Sequence, residues 1–340
     1  MWLSMTVLKT DVAVIGAGPV GLFAIFELGM VGLKCHVFDA LEAAGGQCVA
    51  LYPEKPIFDI PGFPSIDAQE LIDRLAEQAA PFEPAFHLGA AVTKLAELPD
   101  GRFLIENTNG VQVDAGAVIV AAGVGAFGPN RPPLDGIERF EGSSVFYLVE
   151  KREAYRGKRV VIGGGGDSAV DWAISLSELA ESVSIVHRRD KFRAAPESER
   201  RLRELAAAGK IDLVVPYQLD GLVGDEKLEA VLVKTLKGQE RRLEADVLLP
   251  FFGLSMDLGP IAEWGMALEH KHVAVSMETC ETSRPGLYAI GDIATYPGKL
   301  KLILTGFSEA AMAAHAVFKR LRPDDVLRFE YSTTKGVPGV

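Results

Sequence analysis

Cysteine is scarce: three residues in 340, Cys35, Cys48 and Cys280, lie far apart in the chain. With no Cys-x-x-Cys pair and no Cys/His cluster, the sequence offers neither an active dithiol nor a zinc site. Positive charge is also in deficit, 35 Lys and Arg against 46 Asp and Glu, for a net charge of −11. Nucleic-acid binding needs clustered cations to neutralise phosphate, so a chain this acidic is a poor candidate for it. Long apolar runs are missing too. The longest uncharged stretch near the start, Val12–Phe26, contains Gly16, Gly18, Pro19 and Gly21. It falls short of the roughly 20 apolar residues that span a bilayer, so no membrane segment is expected. Met1–Thr10 has no basic segment followed by an apolar run and a small-residue cleavage site, which gives no signal peptide and points to the cytoplasm. What the chain has in excess is glycine, 35 of 340, against a usual share of about 7%. Apolar residues at 48% and charged residues at 24% are those of a globular protein, and the length suits about two domains.

The glycines fall into motifs. Asp11–Ile15 reads as a short buried strand, followed by Gly16-Ala-Gly18-Pro-Val-Gly21, an apolar helix to about Gly32, and a second strand, Lys34–Asp39, ending in an acid. Strand, G-x-G-x-x-G, helix and strand with a terminal acid make up a dinucleotide fingerprint. Gly16 permits the tight turn, Gly18 lets a pyrophosphate approach the backbone, and Gly21 lets helix and strand pack closely. The phosphates meet the positive helix N-terminus, and Asp39 is placed to accept hydrogen bonds from a ribose hydroxyl.

The pattern recurs. Arg159–Gly163 is a strand, Gly164-Gly-Gly166-Asp167-Ser168-Ala169 opens a helix to about Ala180, and Ser182–His187 is the next strand. The same offset separates Gly16 from Gly164 and Asp39 from His187, so two nucleotide folds lie in tandem. The second copy replaces the terminal acid with His187-Arg188-Arg189, and Arg193 follows. Arginine matches phosphate geometry and is charged at any working pH, so this copy is expected to take the 2′-phosphate of NADPH. The alternative is a solvated basic helix start, since Asp190, Glu197 and Glu199 dilute the run.

Each copy also ends in a later glycine-terminated strand, Ala117–Gly123 and Asp246–Gly253. Short alternating strands precede each, over about Val92–Val113 and Leu219–Leu243, and read as three-stranded crossovers. Leu287–Gly291, a strand closing in Gly-Asp292, and a long helix over about Leu304–Leu321 would complete the first fold after the second. The expected class is therefore α/β, with two Rossmann-like, three-layer ββα nucleotide-binding domains, the NADPH domain (126–284) inserted in the other (1–125 and 285–340). The inferred junctions are rich in Gly and Pro.

These features resemble the two-domain flavoprotein reductases, in particular thioredoxin reductases. That likeness implies that the first fold binds FAD and that Asp292 contacts its ribityl or pyrophosphate part. Tyr155-Arg-Gly-Lys158 fits the thioredoxin reductases, but the aligned dithiol positions hold Tyr147 and Glu150, neither of which can exchange disulfides. Cys48 then reads as a small buried filler. Gly45-Gly-Gln-Cys-Val-Ala-Leu-Tyr52-Pro-Glu-Lys55, Asp59-Ile-Pro-Gly62, Asp167-Ser-Ala-Val-Asp-Trp172 and Tyr331-Ser-Thr-Thr334 resemble a sister family, the thioredoxin-reductase-like ferredoxin–NADP reductases, and the likeness runs over nearly the whole chain. It implies that Tyr52 and the Tyr331 of a second copy sandwich the flavin, as the residues nearest the chemistry, with Phe329 a rival to Tyr331. It also puts Gln47, Val92, Phe127 and Thr333 at FAD contacts.

The resemblance implies hydride transfer from NADPH to FAD and single-electron exchange with ferredoxin or flavodoxin, by a homodimer. No metal is expected. Two other readings stay open: an NADPH–flavin reductase acting on quinones, a small oxidant or a partner's disulfide, and a non-catalytic nucleotide-binding regulator. An acidic electron carrier would need a local basic patch on this acidic chain, for which Lys55, Arg152, Arg156, Lys299 and Lys301 are the candidates.

Overall fold

The computed structural model describes residues 7–326 and 336–337, except for the side chains of 126–129 and 254–256. Phe329, Tyr331 and Thr333, and the side chain of Phe127, lie outside the described residues. The chain divides into two compact units, 1–126 with 256–340 and 127–255.

The first unit begins with β1 (Leu8–Ile15), α1 (Pro19–Met30) and β2 (Cys35–Phe38). Val12 to Val14 are wholly buried, a continuous apolar run of the kind that parallel strands with both faces covered require. β1 and β2 are parallel, with Val12 opposite Cys35. Pro19 opens α1, where its missing N–H costs nothing and its fixed φ suits the first turn. Next come α2 (Gln47–Leu51) and α3 (Ala68–Ala79), whose Leu71, Ile72, Leu75 and Ala79 form one buried stripe. β3 (Ala85–His87) extends the parallel edge beside β2. β4 (Val92–Glu97), β5 (Phe103–Asn107) and β6 (Gln112–Val120) then run as an antiparallel meander, the crossover read from the sequence.

The second unit repeats the plan with β7 (Arg159–Gly163), α4 (Asp167–Leu176), β8 (Ser182–Val186), α5 (Pro196–Ala207) and β9 (Asp212–Val214). The meander β10 (Gln218–Gly224), β11 (Leu228–Lys234) and β12 (Glu240–Glu244) follows, and then β13 (Val247–Pro250). The parallel sheet runs β9–β8–β7–β13. Its helical face buries Ile162, Val170, Leu176, Ile185 and Leu202. The opposite face packs on the meander through Val161, Val231, Val233 and Leu248. A fully buried side chain of this kind contributes about 1.5–3 kcal/mol.

The chain then returns to the first unit with β14 (Leu268–Glu269), β15 (His272–Ala274), β16 (Leu287–Ala289), β17 (Ala294–Thr295) and α6 (Ile303–Leu321). β6 carries two partners along one edge. β5 pairs antiparallel with its first half, Gln112–Ala115, and β16 pairs parallel with Val118–Val120; β1 runs parallel along the other edge.

The second junction lies at 255–256, ahead of the 284–285 expected from the glycine and proline there. Leu258, Ile261, Trp264, Met266 and Val273 are buried with Ile15, Phe38, Phe103 and Val118 in one core of the first unit, and β15 pairs with β17. The Pro285–Gly286 pair marks a turn inside this unit: Gly286 N donates to the Glu281 carboxylate at 2.8 Å, and Thr282 N to Leu287 O at 2.8 Å.

Candidate functional site

In the first unit the glycine loop performs the packing that the motif predicts. Gly16 has φ +110, and a Cβ on Gly21 would overlap the Gly16 carbonyl oxygen. Gly18 is the N-cap of α1 and offers no side-chain cap, so the first N–H groups of the helix remain available to an anion. Asp39, at the end of β2, accepts from Ala17 N at 2.7 Å and from Leu41 N at 2.9 Å. Burial raises its pKa, and the backbone N–H groups of Leu41, Ala17 and Ala40 pull it back. Each carboxylate oxygen can accept a second bond, so Asp39 braces the loop and can still receive a ribose hydroxyl.

A second segment closes over this loop. Gly45 N donates to Ala17 O at 2.8 Å, and a Cβ on Gly46 would stand 3.1 Å from the Cα of Gly18. α2 starts at Gln47, whose Nε2 would lie 3.2 Å from a Cβ on Gly123. At the other end of α2, half-buried Tyr52 shares a side-chain hydrogen bond with Cys48. Burial pushes the Cys48 thiol up to about 11, with the Asp292 charge adding to it, and burial, Cys48 and Asp292 raise Tyr52. The fold thus brings Gln47, Tyr52 and Asp292 to one neighbourhood beside the glycine loop. The Lys55 ammonium stands 5.8 Å from the Tyr52 ring centroid. Val92 is different: its side chain is buried in the core with Ile15, Phe38 and Val118. Bare backbone at Gly18, an uncapped helix start and a partly buried aromatic ring fit a flavin dinucleotide.

Glu309, on α6, was not among the sequence candidates. It is fully buried and accepts from Gly291 N at 2.7 Å, from the Tyr296 hydroxyl at 2.6 Å and from the Lys299 ammonium. The Lys299 side chain is only 5% exposed, so it cannot belong to a docking patch. Arg152 and Arg156 pair with Glu178 and Glu153, and the Lys301 ammonium meets His272 Nε2.

In the second unit, α4 also starts on an uncapped glycine, Gly166. Gly164 has φ +149 and packs on Ala169, which is buried, while Ser168 is exposed on the first turn. Asp167 accepts from Ala195 N at 2.9 Å, and Arg193 N donates to Gly165 O at 2.7 Å. The loop after β8 is thereby drawn to the helix start. His187 lies over Gly165, 5.2 Å from the ring of Phe192. Its pKa is lowered by burial; a bond to the Lys191 backbone opposes this, and Arg188, Arg189 and Arg193 add to it. The acids that dilute the basic run are engaged elsewhere: Asp190 and Glu199 with Arg203, Glu197 with Arg200. Arg188, Arg189 and Arg193 are exposed and have no ion-pair partner among the described residues. The dithiol positions hold Tyr147, which donates to Glu141 at 2.6 Å, and exposed Glu150. All three cysteines are buried and free. Among the described residues no helix is long and apolar enough to cross a membrane, and no group of three or more His, Cys, Asp or Glu is arranged to hold a metal.

The sequence profile of the pyridine nucleotide-disulphide oxidoreductase family matches residues 10–316. The ferredoxin–NADP reductase of Rhodospirillum rubrum is 64% identical over 339 residues, 98% of each chain. That of Paramagnetospirillum magneticum is 62% identical over 331 residues, 97% of this chain and 98% of its own. Among solved structures, T. acidophilum thioredoxin reductase is similar with a TM-score of 0.80 at 26% identity, covering 92% of this chain and 98% of its own. Lactococcus lactis thioredoxin reductase also reaches 0.80, at 25% identity, covering 93% and 100%.

Proposed function

This chain belongs to the pyridine nucleotide-disulphide oxidoreductase family and, within it, to the FAD-dependent ferredoxin–NADP reductases, and on that premise we propose how its residues divide the work. Residues 1–126 with 256–340 hold FAD, and 127–255 hold NADP(H). Gly16, Gly18 and Gly21 seat the FAD pyrophosphate on the start of α1. Asp39 takes the ribose, Gln47 and Asp292 line the ribityl side, and Tyr52 stacks on the flavin. Val92 contributes backbone, its side chain being in the core. Phe127, Thr333 and the partner subunit's Tyr331 complete the FAD set.

Gly164, Gly166, Asp167, Ser168 and Ala169 form the second phosphate seat. His187, Arg188, Arg189 and Arg193 receive the 2′-phosphate of NADPH. FAD held by these residues would supply two-electron chemistry toward NADPH and one-electron chemistry toward an iron–sulfur acceptor. The protein's share is to bind, orient and exclude water. The working unit in this proposal is a cytoplasmic homodimer, and flavodoxin serves as an alternative acceptor.

The observation that carries this reading is the contrast between two similar glycine seats. One is followed by a carboxylate, and the other by three arginines whose neighbouring acids are already paired. A disulfide acceptor is disfavoured, because every thiol is buried and pushed up to between about 11 and about 12. The test is anaerobic titration with NADPH, followed by cytochrome c reduction with and without ferredoxin. Bleaching of a yellow chromophore and ferredoxin-dependent turnover are expected; protein that neither contains nor takes up FAD would overturn the reading.

A further inference from the structure

The flavin-binding turn Gly291–Asp292 hangs on one buried acid. Glu309 is 0% exposed. Its Oε2 accepts from Gly291 N at 2.7 Å, while its Oε1 accepts from the Tyr296 hydroxyl at 2.6 Å and from the Lys299 ammonium. Three separate stretches of backbone, the turn, the loop before α6 and α6 itself, therefore meet at one carboxylate. The Asp292 charge acts on Cys48 and Tyr52, so the turn that Glu309 anchors lies within electrostatic reach of the end of α2 that carries Tyr52.

Resting on the assignment of FAD to this unit, we propose that Glu309 is a positioning residue for the flavin, fixing the Gly291–Asp292 turn in the geometry that holds FAD, with Lys299 present to neutralise the buried carboxylate. A carboxylate is needed here because donors face both oxygens. An amide beside Lys299 would have to direct its own N–H₂ at the turn or at the ammonium. If Lys299 is removed too, an amide suffices, with its oxygen toward Gly291 N and its N–H₂ toward the Tyr296 oxygen. Replacing a buried ion pair with apolar groups of similar size often leaves a fold as stable as before, and this separates anchoring from folding.

The experiment compares K299M/E309L with K299M/E309Q. Both lack the ion pair; only the second keeps an acceptor for Gly291 N. FAD release is followed by the return of free-flavin fluorescence after dilution, and apoprotein melting serves as the control for folding. K299M/E309L is expected to release FAD about tenfold faster than wild type, the loss of one anchoring hydrogen bond. K299M/E309Q is expected to retain it. Equal retention by wild type and K299M/E309L overturns the proposal, as does equal loss in both variants. If the leucine variant does not fold, Glu309→Gln alone decides: faster release supports the proposal, and wild-type release overturns it. Wild-type protein that takes up no FAD fails differently, by overturning the functional reading itself.

Discussion

Replacing Arg188, Arg189 and Arg193 together with alanine isolates the 2′-phosphate contact. All three are exposed, so each guanidinium–phosphate pair is screened and worth about 0.5–1 kcal/mol. The three together give about 1.5–3 kcal/mol, and at tenfold per 1.4 kcal/mol NADPH binding should weaken by roughly 10- to 150-fold. NADH lacks the phosphate and should bind as before. The assay is the KM for NADPH and for NADH with ferricyanide as acceptor, with direct calorimetry of 2′,5′-ADP binding. Raising ionic strength should erode the wild-type preference and leave the variant unmoved. Arg200→Ala is the control: that arginine is held by Glu197 and Glu204 and should leave both KM values unchanged. An equal loss for the two coenzymes would mean that the arginines support the unit rather than the phosphate. No loss at all would mean that the phosphate sits elsewhere.

Gly18→Ala separates cofactor binding from folding in the first unit. The glycine has φ −71, and its nearest potential clash is Gly46 Cα at 4.0 Å. Apoprotein stability should therefore change by no more than about 0.5 kcal/mol, while FAD affinity measured by fluorescence titration falls; equal affinity would refute the seat. Cys48→Ala should keep ferredoxin reduction, and iodoacetamide should label native protein at none of the three cysteines at pH 8. Rapid labelling or loss of turnover would reopen a thiol mechanism. His36 Nδ1 and His87 Nε2 lie 3.0 Å apart, and burial lowers both pKa values from 6.5. Below that pH the unfolded chain binds protons that the native pair resists, so stability should fall as pH drops from 7.5 to 5.5. His87→Gln should make that fall shallower in denaturant midpoints, and an unchanged pH slope would count against the pair.

Both nucleotide folds can be read from the sequence because their signals are local. Gly16, Gly18 and Gly21 in the first and Gly164 and Gly166 in the second act within a few residues of one another, and the strands that lead into them end in short apolar runs, Val12–Ile15 and Val160–Ile162. The meanders are legible for the same reason, each turn being marked by its own glycine. Glu309 could not be found this way. A carboxylate in an amphipathic helix reads as a solvated residue, and its partners Gly291, Tyr296 and Lys299 meet it only through tertiary packing. Lys299 shows the converse error: a cation in a Gly/Lys loop reads as surface, yet it is an interior counter-ion. The second junction differs from the expected one because Pro285–Gly286 has a linker's composition but forms a turn inside the first unit. What binds 256–284 to the first unit is long-range burial of Trp264, Met266 and Val273, which no local pattern records. Tyr52, whose motif occurs once, is proposed for the flavin through family likeness alone.

The shared edge of β6 has a consequence for biosynthesis. Half of that edge is satisfied by β5, which leaves the ribosome just ahead of it, and half by β16, which emerges after the whole inserted unit. The nascent chain must therefore carry an open sheet while residues 127–255 are translated and can already collapse on their own core. A stop codon after Gly286 would spare every glycine fingerprint and still strand the half made first, with Val118–Val120 left bare.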